Sequence, residues 1–190
     1  MEHRQGELGS YKDKLNEVTS RLYGLEDLQD NFEGFQEGVK SVMLWQKQRL
    51  DGLSEEEQAS AQSYIPVAEV VEVPKEYEMA MESALGPRMQ LVLSPENQNA
   101  LQAVDYLKEN KSGRSSFCTS DGLQIVPSAD LEPLRADSRV RSLLKDVVRI
   151  PEKHKDLVEK ILDRVAIVDS IADGLELKKS YSDWTFTTLE

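Results

Sequence analysis

Only one cysteine, Cys118, and two histidines, His3 and His154, occur in 190 residues. A single thiol can neither close an internal disulfide nor build a cysteine-based zinc site. Two histidines far apart in sequence leave little for metal catalysis or imidazole acid/base chemistry. Long apolar runs are missing as well, so no stretch of ~20 residues is fit to span a bilayer. The start, Met1-Glu2-His3-Arg4-Gln5-Gly6, lacks the apolar stretch of a secretory signal, and the reading is cytoplasmic. Positive charge is scarce: 23 Lys and Arg stand against 35 Asp and Glu, a net −12. Such a chain does not hold nucleic acid by bulk charge and leaves room only for a local basic patch. With 39% hydrophobic and 31% charged residues it is too polar for a membrane protein and too apolar for a fully disordered one. Its length suits one domain or two small lobes.

Catalytic fingerprints are missing too. Gly34-Phe35-Gln36-Glu37-Gly38-Val39-Lys40-Ser41 resembles a phosphate loop but has three residues between its glycines and Val39 ahead of Lys40; the P-loop needs four, with Gly and Lys adjacent. No Gly-x-Ser-x-Gly elbow occurs. Cys118 reads as a buried thiol in a strand, His154 as a solvent-facing residue in a first helical turn, and Glu55-Glu56-Glu57 as a solvated run. Asn110-Lys111-Ser112 is a glycosylation sequon that a cytoplasmic chain would not use. These absences favour a binding or assembly module over an enzyme, and no cofactor or metal ligand set is expected.

What is present begins with a seam. Leu8, Tyr11, Leu15, Val18, Leu22 and Leu25 recur in steps of three and four, the a/d pattern of a coiled coil. The seam runs for about two and a half heptads, so an ordinary amphipathic helix fits as well. From Phe32 the composition turns globular. Val67–Val73 reads as a strand, Tyr77–Leu85 as a helix stopped by Gly86-Pro87, and Met89–Leu93 as a buried strand. Ser94-Pro95-Glu96 offers a hydroxyl cap and an early proline for a helix to Asn110 that ends at Ser112-Gly113. Arg114–Thr119 is a further strand, completing an α/β unit. Asp121–Asp137 reads as a connector. Leu143–Ile150 reads as strand or helix, Pro151 opens a helix, Val165–Val168 is a strand, Asp169 or Ser170 caps a helix to Tyr181, and Trp184–Leu189 is a strand. No long internal repeat is evident, although strand-helix-strand occurs in both halves.

Basic residues gather in two places. Lys108, Lys111 and Arg114 lie at a helix end, where cations also complement the helix dipole. Arg135, Arg139, Arg141, Lys145 and Arg149 follow the connector. A modest phosphate-contacting surface there would bind weakly and with strong salt dependence.

Four segments in this order and spacing resemble one family: Glu33–Val42 after a coiled-coil stub, Val67–Val73, Tyr77–Gly86 and Tyr106–Phe117. Together they resemble the hinge domain of bacterial SMC (structural maintenance of chromosomes) proteins. The resemblance implies an α/β (α+β) fold of two small lobes with an N-terminal coiled-coil stub: arm stub 1–30, lobe I 31–120, connector 121–140, and lobe II 141–190, truncated at its C-terminal end. It implies a non-catalytic module that pairs with a second hinge to join two coiled-coil arms in chromosome condensation and segregation. The ATPase would lie in heads outside this chain, and the setting would be the cytoplasm at the nucleoid. Lys108, Lys111, Arg114, Arg139 and Arg141 are the candidate DNA contacts. Gly34 and Gly38 would turn the chain from the arm into lobe I, and Gly86 and Gly113 would cap helices. Two departures stand out. Phe117–Gly122 replaces the Leu-Pro usual after Gly-Arg, and the glycine-rich segment and returning arm that follow the Thr187–Glu190 position in the family are absent, so hinge pairing is expected to be impaired. The other readings are the tip of a different coiled-coil scaffold and a small α/β enzyme.

Overall fold

The computed structural model describes residues 2–61, 63–121 and 131–190. Helix α1 (Glu2–Asp30) is one 29-residue rod, about 43 Å long at 1.5 Å per residue. A turn with Phe32 at φ 53° and Gly34 at φ 92° reverses the chain into α2 (Glu37–Leu50). Two ion pairs tie the elbow together: Lys47 Nζ lies 3.3 Å from Asp30 Oδ1, and Lys40 contacts Glu33. Gly38 differs from its expected turn role. It sits in the first turn of α2, where an added Cβ would stand 2.1 Å from the Arg114 carbonyl oxygen. Its lack of a side chain lets the helix seat on the 113–115 backbone. A short acidic helix α3 (Glu55–Ser60) with a capping box follows.

The rest of the chain is one pattern repeated. The first half runs β1 (Ile65–Pro66), α4 (Val67–Val70), a 3-10 turn, α5 (Glu78–Leu85), β2 (Val92–Ser94), α6 (Asn97–Asn110) and β3 (Phe117–Thr119). After α7 (Leu131–Arg135), the second runs β4 (Val140–Leu143), α8 (Leu144–Val147), a 3-10 turn, α9 (Lys155–Ile161), β5 (Val165–Val168), α10 (Ile171–Ser180) and β6 (Thr185–Thr187). Each half makes a three-stranded sheet whose first pair is antiparallel and second parallel. The halves meet at an antiparallel bridge between Glu72 and Arg149, 77 positions apart, the same spacing as Val67 to Leu144 and Pro74 to Pro151. The repeat is therefore structural, where the sequence shows only a shared strand-helix-strand order.

Three apolar clusters hold the fold. The largest joins both halves: Val67, Val70, Leu85 and Leu93 from the first pack with Leu144, Val158, Leu162 and Ile167 from the second. A second cluster lies under α2 and α6 (Val39, Val42, Met43, Leu107), walled by Trp45 stacked on Tyr106 at 4.6 Å. The third surrounds Trp184, Leu134 and Leu177 in the second half. The halves also interlock, since α5 packs against β6 and the Thr187 hydroxyl donates to the Ala80 carbonyl at 3.4 Å.

Several elements differ from expectation for local reasons. Val67–Val73 is no strand. Pro66 precedes a helical turn that buries Val67, Val70 and Val71, an i, i+3, i+4 set that matches helix rather than alternation. In Met89–Leu93, a 3-10 turn led by Gly86-Pro87 takes residues up to Gln90 and leaves Val92–Ser94 for the strand. Helix α6 starts at Asn97, not at Ser94. Ser94 ends β2, and the Asn97 N–H is capped from afar by Asp121 at 2.6 Å. At its other end Lys111, in the left-handed region at φ 52°, is the C-cap rather than Gly113, which reaches φ 80° two residues later. Gly86, at φ 45°, does cap α5. Strand β3 is limited to Phe117–Thr119, and Leu143–Ile150 divides into the end of β4 and α8. Trp184 is a buried core residue ahead of β6 rather than part of a strand, whereas Ser170 caps α10 through the Asp173 N–H. Within the expected connector, α7 is helical, and positions 122–130 lie outside the described residues.

Candidate functional site

Interaction surfaces can be located from what each element leaves uncovered. On α1 the seam faces outward: Tyr11, Leu15, Val18, Leu22 and Leu25 are all more than half exposed, and Leu28 extends the stripe. For Leu8 only the backbone lies among the described residues. An apolar stripe of this kind on a lone helix is half of a coiled coil.

The sheets are open as well. Strands β3 and β6 are the outer, parallel strands, and no described strand pairs with their far edges. Edges of this kind are templates for pairing with another chain. By contrast β1 spans two residues, and α7 packs against β4. The register of the repeat matches Val92 with Ala166, since they face Pro66 and Leu143, and so aligns Phe117 on β3 with Phe186 on β6. The fifth residue of each preceding helix is a leucine in solvent, Leu101 on α6 at 63% and Leu175 on α10 at 64% exposure. Beside β6 an apolar cavity of about 520 Å³ is lined by Ile171, Leu175, Phe186 and Thr185. Gly174 forms part of its wall, and a Cβ there would press on Phe186 at 3.2 Å. Thus two equivalent edges, each with an apolar shoulder, lie in different halves. Sequence reasoning missed both leucines. The signal was an apolar residue on a helix face that already carries Asn97 or Lys179, legible only once the buried face is known.

The five candidate DNA contacts do not form one patch. Lys108, Lys111 and Arg114 lie at the end of α6 and on the way into β3, all exposed. Lys108 stands 3.6 Å from Asp105. Arg139 and Arg141 belong to the other sheet, just before and on β4. Arg141 is exposed, but the Arg139 guanidinium is engaged by Asp137 at 2.6 Å. That pairing has a measurable result. Side-chain and then backbone hydrogen bonds from Arg139 hold the Asp137 carboxyl down at about 2. A depressed carboxylate favours the folded state above its ordinary value near 4, and that contribution fades as pH falls towards 2. An NMR titration of the Asp137 carboxyl should therefore show a midpoint near 2 that rises in Arg139→Gln, which removes the guanidinium bonds and keeps the backbone one.

The thiol and the second imidazole each depart from expectation, Cys118 being less buried than read from the sequence and His154 more so. Cys118 is half-buried in β3, which raises its thiol pKa. His154 is half-buried rather than solvent-facing, and burial, then the Lys153 charge, lowers its imidazole pKa. Among the described residues no group of three or more His, Cys, Asp or Glu could hold a metal ion, and no helix is long and apolar enough to cross a membrane.

Known proteins with this arrangement form a coherent set. The family description "SMC proteins Flexible Hinge Domain" matches residues 61–178. The chromosome partition protein Smc of Myxococcus xanthus is 35% identical over 166 residues, and that of Bacillus subtilis 30% identical over 167. Both alignments take in 87% of this chain and only 13% of the relative, so the chain spans about an eighth of those proteins. Among solved structures, an asymmetric dimer of the Geobacillus stearothermophilus SMC hinge domain superposes with a TM-score of 0.76 at 25% identity, covering 99% of this chain and 71% of that one. The Pyrococcus furiosus SMC hinge domain shares the fold at TM-score 0.56 and 24% identity, with 81% and 82% covered. With the family description matching well over half of the chain and the repeated fold in agreement, this chain belongs to the SMC flexible hinge domains.

Proposed function

We propose that this chain joins two SMC arms by pairing with a second hinge, β3 of each copy against β6 of the other. The observation that carries this reading is the pair of open edges in matching positions of the repeat, each beside an exposed leucine. A two-fold axis between two copies closes both edges at once, giving an isologous assembly rather than a growing fibre. The exposed stripe of α1 takes the returning arm of the same protein. In this role the domain needs no cofactor and performs no catalysis; the parent's ATPase lies in its heads, and its place is the nucleoid. Sedimentation of the hinge with both arm segments tests the reading. A species of twice the monomer mass is expected at micromolar concentration, and a monomer at high micromolar concentration overturns it.

DNA contact is the second element of the proposal. Its best candidates are Lys111, Arg114 and Arg141, which are exposed. Reversing Lys111 and Arg114 to Glu should weaken DNA binding at low salt and reduce the salt slope by about one for each phosphate no longer held. Reversal of Arg139 should do less, because Asp137 already occupies it. Filter binding or fluorescence anisotropy across a salt series reads both effects.

A further inference from the structure

The two halves are not filled alike. Leu189, three residues after Phe186, packs against the shared core, and so does Tyr77, the residue before α5. Their counterparts are Ser120, three residues after Phe117, and His154, the residue before α9. Where Leu189 and Tyr77 supply an isobutyl group and a phenol, Ser120 and His154 supply only a hydroxymethyl and an imidazole. The space left over is a cleft of about 310 Å³ between the end of β3 and the start of α9. Leu93, Pro95 and Leu157 give it apolar walls, and Ser120 and His154 border it. Both signs of charge line it as well, in Lys153 and Asp156, with Glu152 beside them. Glu152 stands 3.8 Å from Lys155. The Ser120 hydroxyl donates to the Pro95 carbonyl at 2.8 Å, so its lone pairs remain for a ligand N–H.

We infer that this cleft binds a small zwitterion with a branched apolar side chain, a free α-amino acid of leucine size. The isobutyl group takes the room that Leu189 fills in the other half, against Leu93, Pro95 and Leu157. The ammonium is received by Asp156 and the Ser120 oxygen, and the carboxylate by Lys153. The volume suits the class: it exceeds one amino acid and is far too small for a folded partner. The cleft lies at the inner seam of the halves, beyond the end of β3, and its test reads ligand binding rather than hinge pairing.

Heteronuclear NMR titration of the intact chain tests it, with L-leucine, 4-methylpentanoate (no ammonium), isoamylamine (no carboxylate) and N-acetyl-leucinamide (neither charge) as probes. Shifts confined to residues around Ser120 and His154 are expected with L-leucine, and at least tenfold weaker binding for each of the other three. Asp156→Asn should remove the preference over 4-methylpentanoate, and Lys153→Gln the preference over isoamylamine. Ser120→Leu, which installs the counterpart residue, should abolish the shifts while leaving the thermal midpoint unchanged or higher. Equal binding of N-acetyl-leucinamide overturns the inference in favour of a peptide side-chain site. Absence of localised shifts at 10 mM L-leucine (about ten times a weak Kd of ~1 mM), or shifts that survive Ser120→Leu, overturns it outright.

Discussion

Leu175→Glu converts the paired hinge into a monomer without unfolding it. Leu175 is 64% exposed on α10 and lines the apolar cavity beside the open edge of β6. Burying a leucine side chain contributes about 1.5–3 kcal/mol, and a two-fold assembly contains each residue twice. Removing both copies therefore costs roughly 3–6 kcal/mol per dimer, which is about 10²- to 10⁴-fold in the dimer dissociation constant. The introduced carboxylate adds a desolvation penalty in the same direction. Sedimentation equilibrium of the hinge with both arm segments should show the shift, and circular dichroism should show an intact fold, because the monomer already exposes the side chain. Leu101→Glu on α6 should reproduce it from the other half. A Leu175→Glu hinge that still sediments as a dimer at low micromolar concentration would place the interface elsewhere.

Leu144→Ala has the largest expected effect on stability, and its form is as informative as its size. Leu144 is fully buried in the cluster that contains Val67, Leu85 and Leu93 from the first half. A buried leucine replaced by alanine typically costs about 2–5 kcal/mol, through forfeited transfer energy and the cavity left behind. In a domain of this size each kcal/mol lowers the midpoint by roughly 2–4 °C. Because both halves share that cluster, the destabilisation should appear as one cooperative transition moved downward, with probes in both halves melting together. Tryptophans report each side: Trp45 beside Tyr106 in the first half, Trp184 in the core of the second. Two separated transitions would mean that each half keeps an independent core.

How much of the fold is legible in the chain depends on how local each cause is. Helix α10 is legible because Ser170 caps it from within the same turn. The start of α6 is easily misplaced because its cap, Asp121, arrives from 24 residues away, and no local pattern carries that. Val67–Val73 reads as a strand on β-branched composition, yet packing of Val67, Val70 and Val71 onto one core decides for a helical turn. The repeat is hidden for a related reason. Val67 and Leu144, or Met81 and Val158, preserve burial rather than identity. The offset also slips from 77 to 74 between the helices and the middle strands, where the Gly86–Gln90 turn intervenes. Of the candidate site, the basic residues can be named from composition. The open edges and their leucines cannot, because exposure is a property of neighbours that the chain brings together only on folding.

The elbow at Asp30–Gly34 determines how tension would travel. A pull along α1 enters the globular part at one corner, through Phe32 wedged against Phe35 and through Lys47 holding Asp30. From there α2 hands the load to the 113–115 backbone where Gly38 seats on it, and β3 and β2 pass it into the common interior. The shared core and the Glu72–Arg149 bridge carry it from one half to the other. An arm anchored in this way drags both halves as one block, so bending under strain should concentrate in the short link between Asp30 and Glu37.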